Sequence, residues 1–179
     1  MKKIIWVCGI IAGIISISWG LFNEAVLCDK FSMTTLMIFG YAAMILSFSL
    51  IFVGIKNYRD NYNNGQITFG KALGIGLLIT LIASTVYVVI WMIDFSFFIP
   101  DFGDKYQARM ITEMKANGAS AAQIQKKATE IAAMMKPYNT NFLYRAMFTY
   151  MEIAPVGIVM SLIAALVHKK QAKAINVNA

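Results

Sequence analysis

The chain has little of what catalytic and metal centres are usually built from. It has one histidine and two cysteines in 179 residues. Cys8 lies inside the first apolar run and Cys28 just beyond it, one in an apolar and one in a polar setting, so no disulfide between them is expected. His168 adjoins Lys169 at the end of the last apolar run and reads as an interfacial residue, without the further ligands a metal site needs. Neither a Gly-rich phosphate loop nor a nucleophile motif is present, and the GxxxG pattern from Gly9 to Gly13 sits where only helix packing uses it. The expectation is no catalytic residues, no cofactor, no metal and no enzymatic role.

Charge is scarce too. Asp, Glu, Lys and Arg make up only 14% of the chain, and they gather between long apolar runs instead of along every helix, as a soluble surface would have them. The net charge of +7 comes from Lys and Arg beside those runs or along one connecting segment. Anionic lipid headgroups account for that placement better than nucleic acid, which is not expected as a partner.

What is abundant is apolar sequence, at 59% against roughly 45 to 50% for soluble domains. Four runs, about residues 4–22, 34–55, 72–93 and 146–167, reach the roughly 20 residues that a membrane-spanning helix requires. The first resembles a signal peptide but exceeds an apolar core of about 7 to 15 residues, and no small-residue cleavage site follows it. Backbone groups in hydrocarbon must pair within their own segment, so runs of this length are helices. Barrel strands would be about half as long and alternate in polarity. The fold class is an all-α membrane protein, one membrane domain over residues 1–179, with the lipid bilayer as its first partner.

An even number of spans puts both termini on one side. Lys2, Lys3, Lys56, Arg59, Lys71, Lys169, Lys170 and Lys173 fall on the terminal side, and Lys30, Lys105, Arg109, Lys115, Lys126, Lys127, Lys136 and Arg145 on the other. The tie is broken by position, because Lys2 and Lys3 abut the first span and Lys169 and Lys170 the last. Both termini are therefore expected in the cytoplasm.

The segments between spans carry local signals. Asn64-Gly65 is a turn dipeptide that tolerates positive φ, and Thr68 is suited to cap the third span. The segment between spans three and four is too long for a bare connector and reads as an extramembrane helical hairpin over about residues 101–136. Its first helix carries Phe102, Tyr106, Met110 and Met114 on one face and stops at Asn117-Gly118. Ser120 and Gln123 then form a capping box, the second helix shows Ile124, Ala128, Ile131 and Met135, and Pro137 is expected to end it. The two stripes pack together or against the bilayer surface.

Within the spans, small residues form stripes: Gly9, Gly13, Ser16 and Gly20 in the first, Gly157, Ser161 and Ala165 in the fourth, with Gly70, Gly74 and Gly76 in the third. They let backbones approach closely, within one chain or between chains. Glu152 is the one acid well inside a span, where an ionised carboxylate is expensive and marks a candidate site. Pro155 cannot donate to the carbonyl of Met151, so the helix is expected to kink there and free a polar backbone group beside that carboxylate. Tyr87, Ser84 and Asp94 of the third span and Thr149 and Tyr150 of the fourth are the expected neighbours, with Arg145 two turns above. Proton or cation binding and a purely structural, hydrogen-bonded acid are both compatible with this set.

The stretches Gly54-Ile55-Lys56-Asn57-Tyr58-Arg59-Asp60 and Gly65-Gln66-Ile67-Thr68-Phe69-Gly70-Lys71-Ala72-Leu73 resemble the domain-of-unknown-function family numbered 4199, from Bacteroidota. Pro100-Asp101-Phe102 and Glu152-Ile153-Ala154-Pro155-Val156-Gly157 are similar to it as well. The resemblance implies a bacterial inner-membrane protein of four helices and brings no activity or site residues. Three roles stay open: a scaffold or accessory subunit, with a homo-oligomer or another membrane protein as partner; a transporter or channel component using Glu152; and a sensor of lipid or envelope state.

Overall fold

A computed structural model describes residues 2–28 and 30–170; Lys173, counted among the terminal cations, lies outside them. The described residues are almost entirely helical, and four of the helical stretches are long and apolar enough to cross a membrane: Lys2–Leu27, Met33–Tyr62, Phe69–Phe97 and Phe142–His168. Each extends beyond its apolar run, because residues at a membrane edge keep their helical hydrogen bonds after hydropathy has fallen.

The first stretch is α1 (Lys2–Phe22), continued by a π-helical turn, Asn23–Leu27. The second is two helices, α2 (Met33–Phe48) and α3 (Leu50–Tyr62), which part at Ser49. Two serines explain the break. Ser47 Oγ donates to the carbonyl of Met44 at 2.9 Å and Ser49 Oγ to that of Leu46 at 2.6 Å, and such back-bonding bends a helix. Asn64 (φ 51°) and Gly65 (φ 74°) then reverse the chain in the left-handed region, and the Thr68 hydroxyl accepts the Lys71 amide to open α4 (Phe69–Phe97).

After α4 come α5 (Phe102–Ala116) and α6 (Ala121–Thr140). Gly118 has φ 75°, and Ser120 and Gln123 close the reciprocal capping box. Pro137 does not end α6. The helix runs three residues further, because proline forfeits only its own amide while its carbonyl still accepts the Asn141 amide at 2.9 Å. Asn141 caps the start of α7 (Phe142–His168), which is continuous through Pro155.

Around the bundle α1 packs on α4, α4 on α7, and the α2–α3 segment closes the ring against α1 and α7. In the half nearer the termini, Phe48, Ile51, Ile55 and Ile79 are fully buried, and α3 touches α1, α4 and α7. Ile67 and Lys170 exchange two backbone hydrogen bonds of 2.9 Å, tying the turn between spans two and three to the end of α7. The opposite end is tied by α5. Glu113 Oε1 accepts the amide of Met33 at 2.8 Å, capping the start of α2, and Arg109 donates to the carbonyl of Phe31 at 2.6 Å. A second core of Phe95, Ile131, Met135 and Tyr138, flanked by Phe102, Tyr106 and Met110, joins α4, α5 and α6.

Candidate intramembrane polar site

Close approach of the helices sets the geometry of the site. A Cβ on Gly13 would stand 2.6 Å from the carbonyl of Ala83, and one on Gly9 would stand 2.7 Å from Ile82, so α1 and α4 meet nearly backbone to backbone. On the other side of α4, a Cβ on Gly157 would collide with Thr80, and one on Gly76 would stand 2.8 Å from Ser161. Gly20 is looser, 3.8 Å from the Tyr87 hydroxyl, and Gly70 and Gly74 face open space.

The polar groups trapped by this packing are paired in most cases. Ser161 donates to the carbonyl of Gly157 at 2.7 Å, which leaves its oxygen to accept from Thr80 at 3.0 Å. Ser47 is likewise committed to a carbonyl, so Ser16 is the donor across the α1–α2 contact. Thr149 donates to the carbonyl of Arg145. Ser84 is buried, and its hydroxyl has no hydrogen-bond partner among the described residues.

Arg145 is 7% exposed, yet it makes no ion pair among the described residues. Its Nη1 donates to the carbonyls of Tyr138 (3.2 Å) and Asn139 (3.3 Å), and its guanidinium lies 3.8 Å from the centre of the Phe95 ring. Those carbonyls belong to the last turn of α6, whose intrahelical donors are missing, so the cation caps a helix C-terminus while stacking on an aromatic face. Beside it, Trp91 Nε1 donates to the Tyr138 hydroxyl at 2.7 Å. Burial pushes the Tyr138 phenol above its ordinary value, partly offset by the Trp91 bond.

Glu152, like Ser84, has no such partner. It sits in the middle part of α7, and its carboxylate makes no hydrogen bond or ion pair among the described residues. Glu152 is exposed, between the exposed Phe148 and Val159 on α7 and next to the exposed Met151. Its charge reaches Tyr87 of α4 and Tyr138 of α6. The Tyr87 hydroxyl lies 3.8 Å from where a Cβ on Gly20 of α1 would stand.

Of the residues expected near Glu152, Tyr87 lies within range of its charge, and Asp94 makes no hydrogen bond or ion pair among the described residues. Tyr150 instead donates to Thr85 at 2.9 Å. Pro155 lies one turn beyond Glu152 on the exposed side of α7. His168 is buried, its Nδ1 donating to the carbonyl of Ala164 at 3.0 Å and its ring set edge-on to Phe52. Tyr138 is a site residue that the sequence did not single out. Tyrosine is common at membrane edges, and nothing in its spacing says that it points inward.

The family profile described as "Protein of unknown function (DUF4199)" matches residues 8–170. The chain belongs to the DUF4199 family. The match takes in all four stretches of this DUF4199 protein that are long and apolar enough to cross a membrane, except the first residues of α1, and it includes Glu152, Tyr87 and Arg145. No curated protein and no solved structure matches the chain.

Proposed function

We propose that this DUF4199 protein is a multi-pass protein of the bacterial inner membrane that serves as a scaffold or accessory subunit. Both termini lie in the cytoplasm, and α5 and α6 form a helical hairpin on the outer surface of the membrane. The observation that carries the reading is the contrast among the polar groups of the spans. Ser16, Ser47, Thr80, Ser161 and Arg145 are paired inside the bundle and Ser84 is buried without a partner, whereas Glu152 is an exposed acid with no partner among the described residues. An acid left so in a bilayer is neutralised by a proton or paired with a group from outside the chain, and the scaffold reading takes the second. The fully buried Phe48, Ile51, Ile55 and Ile79 favour this reading over transport, because they fill the half of the bundle that a solute would cross next.

The test is purification from native membranes in a mild detergent, followed by mass measurement of the intact particle. A stoichiometric second membrane protein is the expected result. Recovery of this chain alone contradicts the reading.

A further inference from the structure

We infer that the groove between α1 and α4 binds a glycerophospholipid with an anionic headgroup, its phosphate on Lys2 and one acyl chain along α4. The inference goes beyond the accessory-subunit reading and does not depend on it. Three observations lead to it.

The first is the groove itself. It is open, has a volume of about 560 Å³, and is lined by Lys2, Ile5 and Trp6 of α1 and by Leu78, Leu81 and Thr85 among the residues of α4. That volume falls within the roughly 300 to 1,000 Å³ of ligand pockets. Gly9 and Gly13 bring the two backbones together, and Trp6, Leu78 and Leu81 remain exposed on either side of the seam.

The second is its polarity, which is graded from end to end. Contacts between the helices advance in step, Gly9 against Ile82 and Gly13 against Val86, so α1 and α4 run parallel. Lys2 therefore lies at the end of the groove nearer the termini and Thr85 at the other. Lys2 makes no hydrogen bond or ion pair among the described residues, and the indole N–H of the exposed Trp6 makes no hydrogen bond there. Thr85 has no donor to spare, because its hydroxyl donates to the carbonyl of Leu81 at 2.8 Å and accepts from Tyr150 at 2.9 Å. Free donors at one end and apolar walls leading from them match the head and tail of a lipid.

The third is where the cation stands. Lys2 precedes the first apolar run, which begins at residue 4, whereas Leu78, Leu81 and Thr85 lie inside the third, about residues 72–93. The charge is thus at the edge of the hydrocarbon and the apolar walls are within it, as are a phosphate and its acyl chain. No carboxylate lines the groove, so the cation favours a headgroup of net negative charge over a zwitterionic one. Lys71 is placed over the Tyr58 ring of α3, and Lys3 lies outside the lining, which leaves the preference to Lys2.

The experiment uses the full chain reconstituted in bilayers that mix phosphatidylglycerol with phosphatidylcholine, one or the other brominated on its acyl chains. Bromine quenches tryptophan on contact, and the part of the fluorescence that Trp6→Phe lacks reports the groove. Phosphatidylglycerol is expected to occupy it about fivefold more strongly than phosphatidylcholine. Lys2→Gln should remove the preference, and Lys3→Gln, which takes the same charge from the same chain, should keep it. Equal quenching by the two brominated lipids overturns the proposal. A preference that survives Lys2→Gln, or that falls as far with Lys3→Gln, overturns it as well, because diffuse surface charge and not a site would then set it. Trp6 fluorescence that neither lipid quenches would show that protein covers the groove, which also overturns the proposal. If Lys2→Gln does not fold, the comparison of the two lipids on the wild-type chain still decides.

Discussion

Thr80 of α4 donates a hydrogen bond to Ser161 of α7 at 3.0 Å, directly across the position where Gly157 lets the two helices touch. The relation explains why a small residue stands at 157. The hydroxyl pair forms only if the backbones approach this closely, and any Cβ at 157 would occupy the volume of the Thr80 side chain. Interhelical hydrogen bonds of this type contribute about 0.6 kcal/mol on average, so the close packing matters at least as much as the bond.

Gly157→Ala is therefore expected to destabilise the bundle by roughly 1 to 3 kcal/mol through overpacking against Thr80 and Phe48. Gly74→Ala, where a Cβ meets nothing within 4 Å, should be neutral or stabilise by up to about 1 kcal/mol through helix propensity. Unfolding of both variants in mixed micelles with increasing SDS checks the contrast. Equal effects would mean that α4 and α7 do not meet at residue 157.

Arg145→Met should cost about 2 to 4 kcal/mol, because it strands two carbonyls at the end of α6 and removes the cation from the Phe95 face. The damage should be local. Hydrogen exchange is expected to quicken across α5 and α6 while α1 and α4 keep their protection. Uniform loss of protection would show that Arg145 is not the joint that it forms here.

Glu113→Ala removes the acceptor that holds the Met33 amide at 2.8 Å, and with it the capping of α2 by α5. A loss of about 1 kcal/mol is expected, with faster exchange confined to the first turn of α2. Unchanged protection at Met33 to Leu36 would contradict the docking of α5 on that helix end.

Ser120→Ala breaks the capping box with Gln123 and should cost about 1 kcal/mol. Far-UV circular dichroism during heating should show α6 fraying at a lower temperature, and Ser120→Asp should restore much of the loss. Equal melting of wild type and Ser120→Ala would contradict the box.

Much of this architecture was legible in the sequence, and the reason is physical. A spanning helix must be long and apolar, and a turn or cap depends on neighbours within about four residues, so the four spans, Asn64-Gly65, Thr68 and Ser120 all announce themselves. What stayed hidden depends on azimuth or on distant partners. Ser16 and Ser47 lie on different helices 31 residues apart, and neither position reveals that their hydroxyls pair. The cap that Glu113 places on α2 joins residues 80 apart in sequence, and no local pattern encodes it. The same holds for Arg145, whose partners are backbone carbonyls and therefore leave no mark on residue identity. Pro137 misled because its cost falls on one amide and not on the turn that follows.

The account depends above all on the chain crossing the bilayer four times, with the Ile67–Lys170 end and the Glu113–Met33 end on opposite faces. Single cysteines at Asn64 and at Asn117, in a chain whose Cys8 and Cys28 are replaced by alanine, test this with a membrane-impermeant maleimide on intact spheroplasts. Labelling at Asn117→Cys in intact spheroplasts, and at Asn64→Cys only after permeabilisation, is the predicted result. Equal labelling of both positions in intact spheroplasts would contradict it.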